Sequence, residues 1–384
     1  MQKISHFNGI NNVSDPMMIG ISWLVQADNV NITDKGGIAR REGYALNRAG
    51  VFASAFSTFD FSRSYIATSS AIQTFEGVQV VALSSTAPLY WCEINNQVLF
   101  NNGTDSGIIL ADNSVLPWRW PVPTAPAIAV ITGTLPAGTY QVRCSYLLPD
   151  GRETGTSDPA EITLTEDQAL QISSIPQSAG CTTNVYITPA NSEVYQLYAT
   201  TTATALTFNA SPDTLGRDLL NAFLDPLPIS TDVIQAWQGK IFAAQYMPAE
   251  DQTVVWFSEP LGFHLFNLNQ NFILVPGHIL MLAAHDEALI IGTQQRIYAC
   301  SGDKLAQIAE YGVVPGQHAS RDGQDVYFWS VRGLCSAMPF QNLTEKQISV
   351  APGLRAGGCI VRTGGQRRYL ACLQVGGQAF NPYP

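Results

Sequence analysis

The densest titratable cluster in the chain is His285-Asp286-Glu287. Three polar residues in a row supply only part of a metal shell, because the donors must converge on the ion from several directions. The cluster interrupts an apolar run, and it is read as a solvated turn. His264 and His278 stand near other turns without H-x-x-x-H or H-E-x-x-H spacing, so neither is assigned to a metal. Ser301-Gly302-Asp303-Lys304 spells S-x-x-K, but Ser–Lys chemistry needs a helix to bring the two side chains one turn apart. Gly-Asp marks a β-turn instead. Asn101-Asn102-Gly103-Thr104-Asp105-Ser106-Gly107 is rich in oxygen donors, lacks the alternating acids of a calcium loop, and is read as a plain turn. No G-x-S-x-G, P-loop or dinucleotide-binding glycine motif follows a strand. A propeller glycosidase would need two carboxylates facing one pocket. The thirty acidic residues offer many pairs, none inside a supporting motif. The expectation is a chain that is not an enzyme, with no catalytic, cofactor-binding or metal-ligating residue and no cofactor. Its partner-binding residues stay unassigned.

Composition points to strands. The 384 residues are 46% hydrophobic and only 13% charged, against about a quarter charged in ordinary globular domains. Abundant Gly, Pro, Thr, Ser, Asn and Val suits many short strands joined by turns, and the sparse charge suggests a surface partly covered by partners. A net charge of −10 excludes a broad basic face for gripping nucleic acid. The seven cysteines are scattered without a C-x-x-C pair. Cys92, Cys144, Cys300 and Cys372 are expected to act as small buried hydrophobes in a reducing compartment. The N-terminus has no signal-peptide core and no apolar run reaches membrane-spanning length, so a soluble chain made in a cytosol is expected.

One local pattern organises the second half. A polar, Gly-containing turn feeds a short apolar run at Trp237–Phe242, His285–Ile291, Asp322–Phe328 and Gly365–Leu370. Anchored on Phe242, Ile290, Tyr327 and Tyr369, the steps are roughly 48, 37 and 42 residues, near the length of a propeller blade. Further runs follow at Val254–Phe257, Arg296–Ala299 and Gly333–Cys335. Residues 51–122 fit two more units, with Ser64–Thr68, Leu89–Cys92 and Asn96–Phe100 as strands and Tyr65 and Phe100 as anchors roughly 35 residues apart. The pattern predicts an all-β, roughly six-bladed β-propeller, with blades in 51–122 and 226–384. An irregular β-sandwich is the alternative.

The gap between Phe100 and Phe242 exceeds one blade. Pro117, Pro121, Pro123 and Pro126 open it as a linker. Thr139–Tyr146 then alternates, with Tyr140, Val142, Cys144 and Tyr146 on one face of a half-buried strand. Strands are also expected at Glu161–Leu164, Leu170–Ile172, Val185–Ile187, Val194–Tyr198 and Leu206–Phe208, which suggests an immunoglobulin-like sandwich inserted at 123–212. The stretch Tyr146–Ile162 resembles fibronectin type III modules.

Residues 1–50 read as an N-terminal arm. Val30 and Ile32 alternate with polar neighbours, and Asp34-Lys35-Gly36-Gly37 makes a tight turn, giving a hairpin. Asn29, Val30, Gly37, Arg40, Arg41, Gly43 and Tyr44 follow a pattern that resembles the N-terminal segment of bacteriophage tail nozzle or tail hub proteins, with Glu42 where that group is expected to carry Pro. Trp256–Asn267 followed by Ile290–Gly302 resembles a second run of the same group. The resemblance implies a structural virion protein in which several copies, most plausibly six, form a ring closing the tail channel. Such a ring retains the packaged genome and then permits DNA ejection. It implies tail adaptor and portal proteins as partners, tail fibres or spikes as further ones, DNA that passes without specific binding, no membrane insertion, and assembly in the host cytoplasm. The net acidity agrees with a channel that must release DNA. Alternative readings are a tail-tip or receptor- or glycan-binding propeller and, further off, a propeller glycoside hydrolase. Arg40-Arg41 and Arg367-Arg368 are read either as contacts to an acidic neighbouring subunit or as charges blunting an exposed strand edge. The aromatic tail Gln378–Pro384 is read as a frayed end, with docking on a neighbour as the alternative.

Overall fold

A computed structural model of the chain describes residues 4, 6–33, 35–41, 43, 45–211, 214–302, 304–363 and 366–374. Glu42, Tyr44, Asp34, Asp303, Gly365 and the tail Gln378–Pro384 lie outside the described residues. The described chain is all-β, and no helix in it is long and apolar enough to cross a membrane.

Five consecutive antiparallel meanders of four strands each span Ser54–Ala82, Tyr90–Leu116, Ile234–Pro276, Ile279–Ala309 and Ser320–Asn342. A sixth unit is a two-stranded hairpin, Arg355–Thr363 with Gln366–Gln374. The expectation of roughly six blades thus meets five full blades and a hairpin among the described residues. All six anchors, Tyr65, Phe100, Phe242, Ile290, Tyr327 and Tyr369, fall on the second strand of their units. In blades three and two the tight turn ahead of that strand has left-handed backbone at two successive positions, the geometry of a type I′ hairpin. Gln238 and Gly239 supply it at φ 47° and 71°, and Asn95 and Asn96 at 49° and 59°.

The first strand of one blade packs against the first strand of the next, as Tyr90–Ile94 does on Ile234–Trp237 and the latter on Ile279–Ala284. Apolar clusters then fill successive seams. Tyr65, Ile72, Trp91 and Phe100 join blades one and two; Leu99, Trp118, Ile241 and Phe266 join two and three. Phe242, Val255, Leu289 and Ile291 join three and four; Ile290, Ile297, Phe328 and Cys335 join four and five. Val314, Trp329 and Ala356 join the fifth blade to the sixth unit. Each fully buried Ile, Leu or Phe contributes roughly 1.5–3 kcal/mol relative to exposure. Since no blade can bury both its faces alone, the seams hold the ring.

Between the second and third blades the chain makes a separate sandwich. One sheet runs Ala127–Leu135, Gln168–Ser173, Leu206–Phe208. The other runs Gly138–Leu147, Thr182–Ile187, Gln196–Thr201, with Glu153–Thr156 and Ala160–Leu164 sharing the free edge of the long strand. The pairings match the B–E and C–F–G neighbours of an immunoglobulin fold, with the last strand flanking E where strand D would lie. Tyr140, Val142, Cys144, Leu170, Val185 and Phe208 form its core. One expectation needs correction: the strand at 139–146 is not half-buried throughout. Arg143 and Ser145, on its other face, are also buried, the first under the returning linker and the second against Glu153. Arg143 Nη1 donates to the carbonyl of Ala222 at 3.1 Å, and the Arg143 guanidinium lies 5.1 Å from the Tyr195 ring centroid and 5.4 Å from that of Phe223.

The insertion is seated on the loop that joins the third and fourth strands of the third blade. Trp118 Nε1 donates to the Phe263 carbonyl at 2.8 Å, Asp225 and Phe266 exchange two backbone hydrogen bonds of 2.9 Å, and His264 Nε2 donates to the Glu153 carbonyl at 2.9 Å. Both flanks of the insertion and its free edge therefore rest on residues 263–266. Glu153 is a pivot. Burial pushes its carboxyl up, but donors from Ser145, Asn184, Tyr186 and Arg217 outweigh that and hold it below the usual range.

His318 is a pH-sensitive point in the fifth blade. Fully buried, it donates Nε2–H to the Val314 carbonyl at 2.6 Å and accepts the Trp329 N–H on Nδ1 at 3.0 Å. Burial pushes its pKa down to about 4, the Val314 bond opposing. A histidine lowered from about 6.5 gives stability that is complete above pH ~6.5 and lost as the pH falls towards 4, because the unfolded chain takes up the proton first. At pH 5.5 the loss is about 1.4 kcal/mol. Urea unfolding at pH 7.5 and 5.5 is expected to show it, and His318→Gln, though less stable at both, is expected to show a pH difference smaller by that amount.

Candidate functional site: the blade-entry mouth and the N-terminal arm

The segments that enter the blades bring a mixed set of side chains together. Tyr90 opens the second blade, Asp232 precedes the third, His278 precedes the fourth and Arg355 opens the sixth unit. The ionisation of Tyr90 is pushed up to about 12, by burial first and by the charge of Asp232, with Arg355 opposing. Burial raises the Asp232 carboxyl; the Val233 N–H, donating to Asp232 Oδ1 at 2.7 Å, and nearby His278 pull against it. His278 stacks on Tyr246 with centroids 4.3 Å apart. Gln317, entering the fifth blade, donates Nε2–H to the Leu89 carbonyl at 2.8 Å. That bond joins non-neighbouring blades, so it narrows the mouth to side-chain contact.

Chemically this is one carboxyl that holds its proton to a higher pH than usual, beside a phenol and a guanidinium. The mouth has the makings of a polar plug.

The residues singled out by sequence mostly serve the seams. His285 is not solvated: only 6% of it is exposed. Its carbonyl accepts Trp237 Nε1–H at 2.7 Å and its Nδ1 accepts the Glu287 N–H at 3.1 Å. Asp286 pairs with Arg321 at 2.5 Å, so the cluster pins blades three, four and five. The turn reading missed this because the tryptophan bonded to the His285 carbonyl lies 48 residues upstream. Ser301 and Lys304 face each other across a hairpin turn, which is no site for Ser–Lys chemistry. Asn102 closes its turn by accepting the N–H groups of Thr104 and Asp105. Asn101 instead is buried and donates to the carbonyls of Thr231 and Asp232 at 2.6 and 3.1 Å. No group of three or more His, Cys, Asp or Glu among the described residues is placed to hold a metal. Arg367, on the outer strand of the two-stranded unit, pairs within its own chain, with Asp322 at 3.2 Å and Asp325 at 3.3 Å. Cys92, Cys144 and Cys300 are buried, but Cys372 is exposed, as is Cys359 on the same face of the two-stranded unit.

The arm differs from the rest. Gly9–Ile10 pairs in parallel with Trp23–Leu24, and Val30–Ile32 pairs with Ile38–Arg40; Arg40 and Arg41 are exposed. It adds no residue to any of the apolar clusters. Asn12 ties it to the fifth-to-sixth connection by three hydrogen bonds with Gln347 and Ser349, and Arg48 ties it to the first blade through the Thr74 and Phe75 carbonyls. The arm thereby straps the last units to the first. Between these ties Met17 and Met18 are 91% and 82% exposed, with Ile21 and Leu46 also open.

No protein-family model matches the chain, and no curated protein matches it. Among solved structures it is similar to apo AztD from Citrobacter koseri, at 12% identity over 83% of this chain and 90% of that one, with a TM-score of 0.30. It is also similar to PorZ, described as an essential bacterial surface component of the type-IX secretion system of Porphyromonas gingivalis, at 11% identity over 87% of this chain, with a TM-score of 0.24. The chain spans about half (52%) of PorZ. The extracellular domain of BT4673 from B. thetaiotaomicron matches at 10% identity over 87% of this chain and 59% of that one, with a TM-score of 0.23. Likeness at this level carries no argument about function; the β-propeller with its inserted sandwich rests on the chain's own sheets.

Proposed function

We propose that this chain is a structural protein of a bacteriophage virion, several copies of which, most plausibly six, form a ring that closes the tail channel. The ring retains the packaged genome and lets it pass at ejection; it sits against adaptor and portal proteins and does no chemistry of its own. The observation that carries this reading is the arm. A strap of about fifty residues bears exposed methionines and aliphatics outside every core, side chains that a contact with another subunit would cover. The tail-protein resemblance falls in that same segment. Since Gln317 and Leu89 meet at the blade-entry mouth, DNA has no path along the propeller axis, and the channel runs between copies. Facing a channel, a chain with net charge −10 repels DNA only at short range, since charges beyond roughly 8 Å are screened at physiological salt.

The test is Met17→Asp with Met18→Asp. Both side chains are exposed, so the melting temperature is expected to stay within a degree or two while the ring, read by mass photometry, falls to monomer. Rings that persist in the double variant would remove the arm from the assembly.

A further inference from the structure

We propose that the cleft between the first and second blades is a carboxylate-binding site whose anchor is Arg119. The cleft, of about 530 Å³, has apolar walls from Val81, Phe100 and Ile229, and Arg119 lies in its lining. The guanidinium is fixed from behind, because Nη2 donates to Thr231 Oγ1 at 2.9 Å and to Asn101 Oδ1 at 3.1 Å. Its Nε is buried and has no hydrogen-bond partner. Among the described residues no carboxylate pairs with Arg119. The acid in the same lining, Asp105, is already occupied by Ser84, Ser85 and Asn102. A held guanidinium with no carboxylate paired to it, at the side of an open cleft with apolar walls, matches a carboxylate on a short aliphatic body, bound on the side away from Asp105. The two N–H groups of a guanidinium fit its two oxygens.

The carboxylate has two sources, a free small acid or an acidic side chain of another polypeptide. Titrating the full chain with glutarate and, separately, with N-acetyl-glutamate N-methylamide, while following the Arg119 Nε–Hε signal by NMR, distinguishes them. Saturable movement with the first alone assigns the site to small acids. Movement with the second assigns it to side chains. Glutaramide, which lacks the charge, is expected to bind at least tenfold more weakly. Ile229→Glu offers a tethered acid from a position that is 75% exposed and leaves Arg119 in place, so it is expected to abolish the titration; Arg119→Gln is expected to weaken binding at least tenfold. No movement with either acid, equal binding of glutaramide, or an unchanged titration in the Ile229→Glu protein would overturn the proposal.

Discussion

Replacing Gly155 with alanine is expected to unseat the inserted sandwich, at a cost of about 4 kcal/mol. Gly155 lies on the short edge strand Glu153–Thr156, where the returning linker crosses the sandwich. A Cβ there would stand 1.6 Å from the Leu224 carbonyl oxygen and 2.7 Å from its carbon. These are backbone atoms, so no rotamer change relieves the clash, and either the strand or the linker must move. Both are tied down. Asn221 donates to the Thr154 carbonyl, Thr156 Oγ1 donates to that of Ala222 at 3.0 Å, and Asp225 is bonded to Phe266. The sandwich keeps its own core, so it is expected to stay folded while its seat fails. Limited proteolysis should then cut the linker in residues 214–230 in the variant and spare it in the parent. Resistance equal to the parent's would show that the linker crosses elsewhere.

Gly316→Ala is expected to release the sixth unit, with a loss of about 3–5 kcal/mol. Gly316 has φ +129°, where an L side chain is strained, and its Cβ would meet the Ala356 carbonyl oxygen at 2.0 Å. This segment runs alongside the first strand of the hairpin: Ala356 N–H donates to the Pro315 carbonyl and Gly358 N–H to that of Gln317, both at 2.9 Å. Pushing the two apart breaks those bonds and opens the Val314–Trp329–Ala356 cluster. Hydrogen exchange should report it, with amides of residues 355–374 losing protection while those of 234–309 keep theirs. Uniform loss across the chain would mean that the hairpin is not a separable unit.

Both glycines bear on what could be read from sequence. The blade period was legible because each second strand carries a bulky apolar residue after a polar turn, and a local pattern of that kind survives in one dimension. Leu206–Phe208 was likewise visible from its alternation. Ala127–Leu135 was missed behind four prolines, because its exposed face carries Ala and Thr with few large apolar residues. Glu153–Thr156 was missed because Glu-Thr-Gly-Thr has no apolar residue; it is buried only by a linker about 70 residues further on. The mouth could not be read at all. Tyr90, Asp232, His278 and Arg355 come from four blades and share no motif, and only closure of the ring brings them together. Arg119 hides in the same way, in a stretch that reads as a Pro-Trp-Arg-Trp-Pro linker.

The reading of His285-Asp286-Glu287 as a solvated turn holds for Asp286 and Glu287, which are exposed, and fails for His285. Its local letters are polar, yet it is buried and its carbonyl accepts the indole N–H of Trp237 from the preceding blade. Inter-blade seams override local composition here, which is expected of a fold whose units are not stable alone.

The central claim is that copies of this chain close into a ring on a tail. Negative-stain electron microscopy of the purified protein, alone and mixed with phage tail-adaptor rings, tests it most directly. The account predicts closed rings, six-fold and with the sandwiches projecting at regular intervals, that stack on the adaptor. Compact monomers in both samples would contradict it.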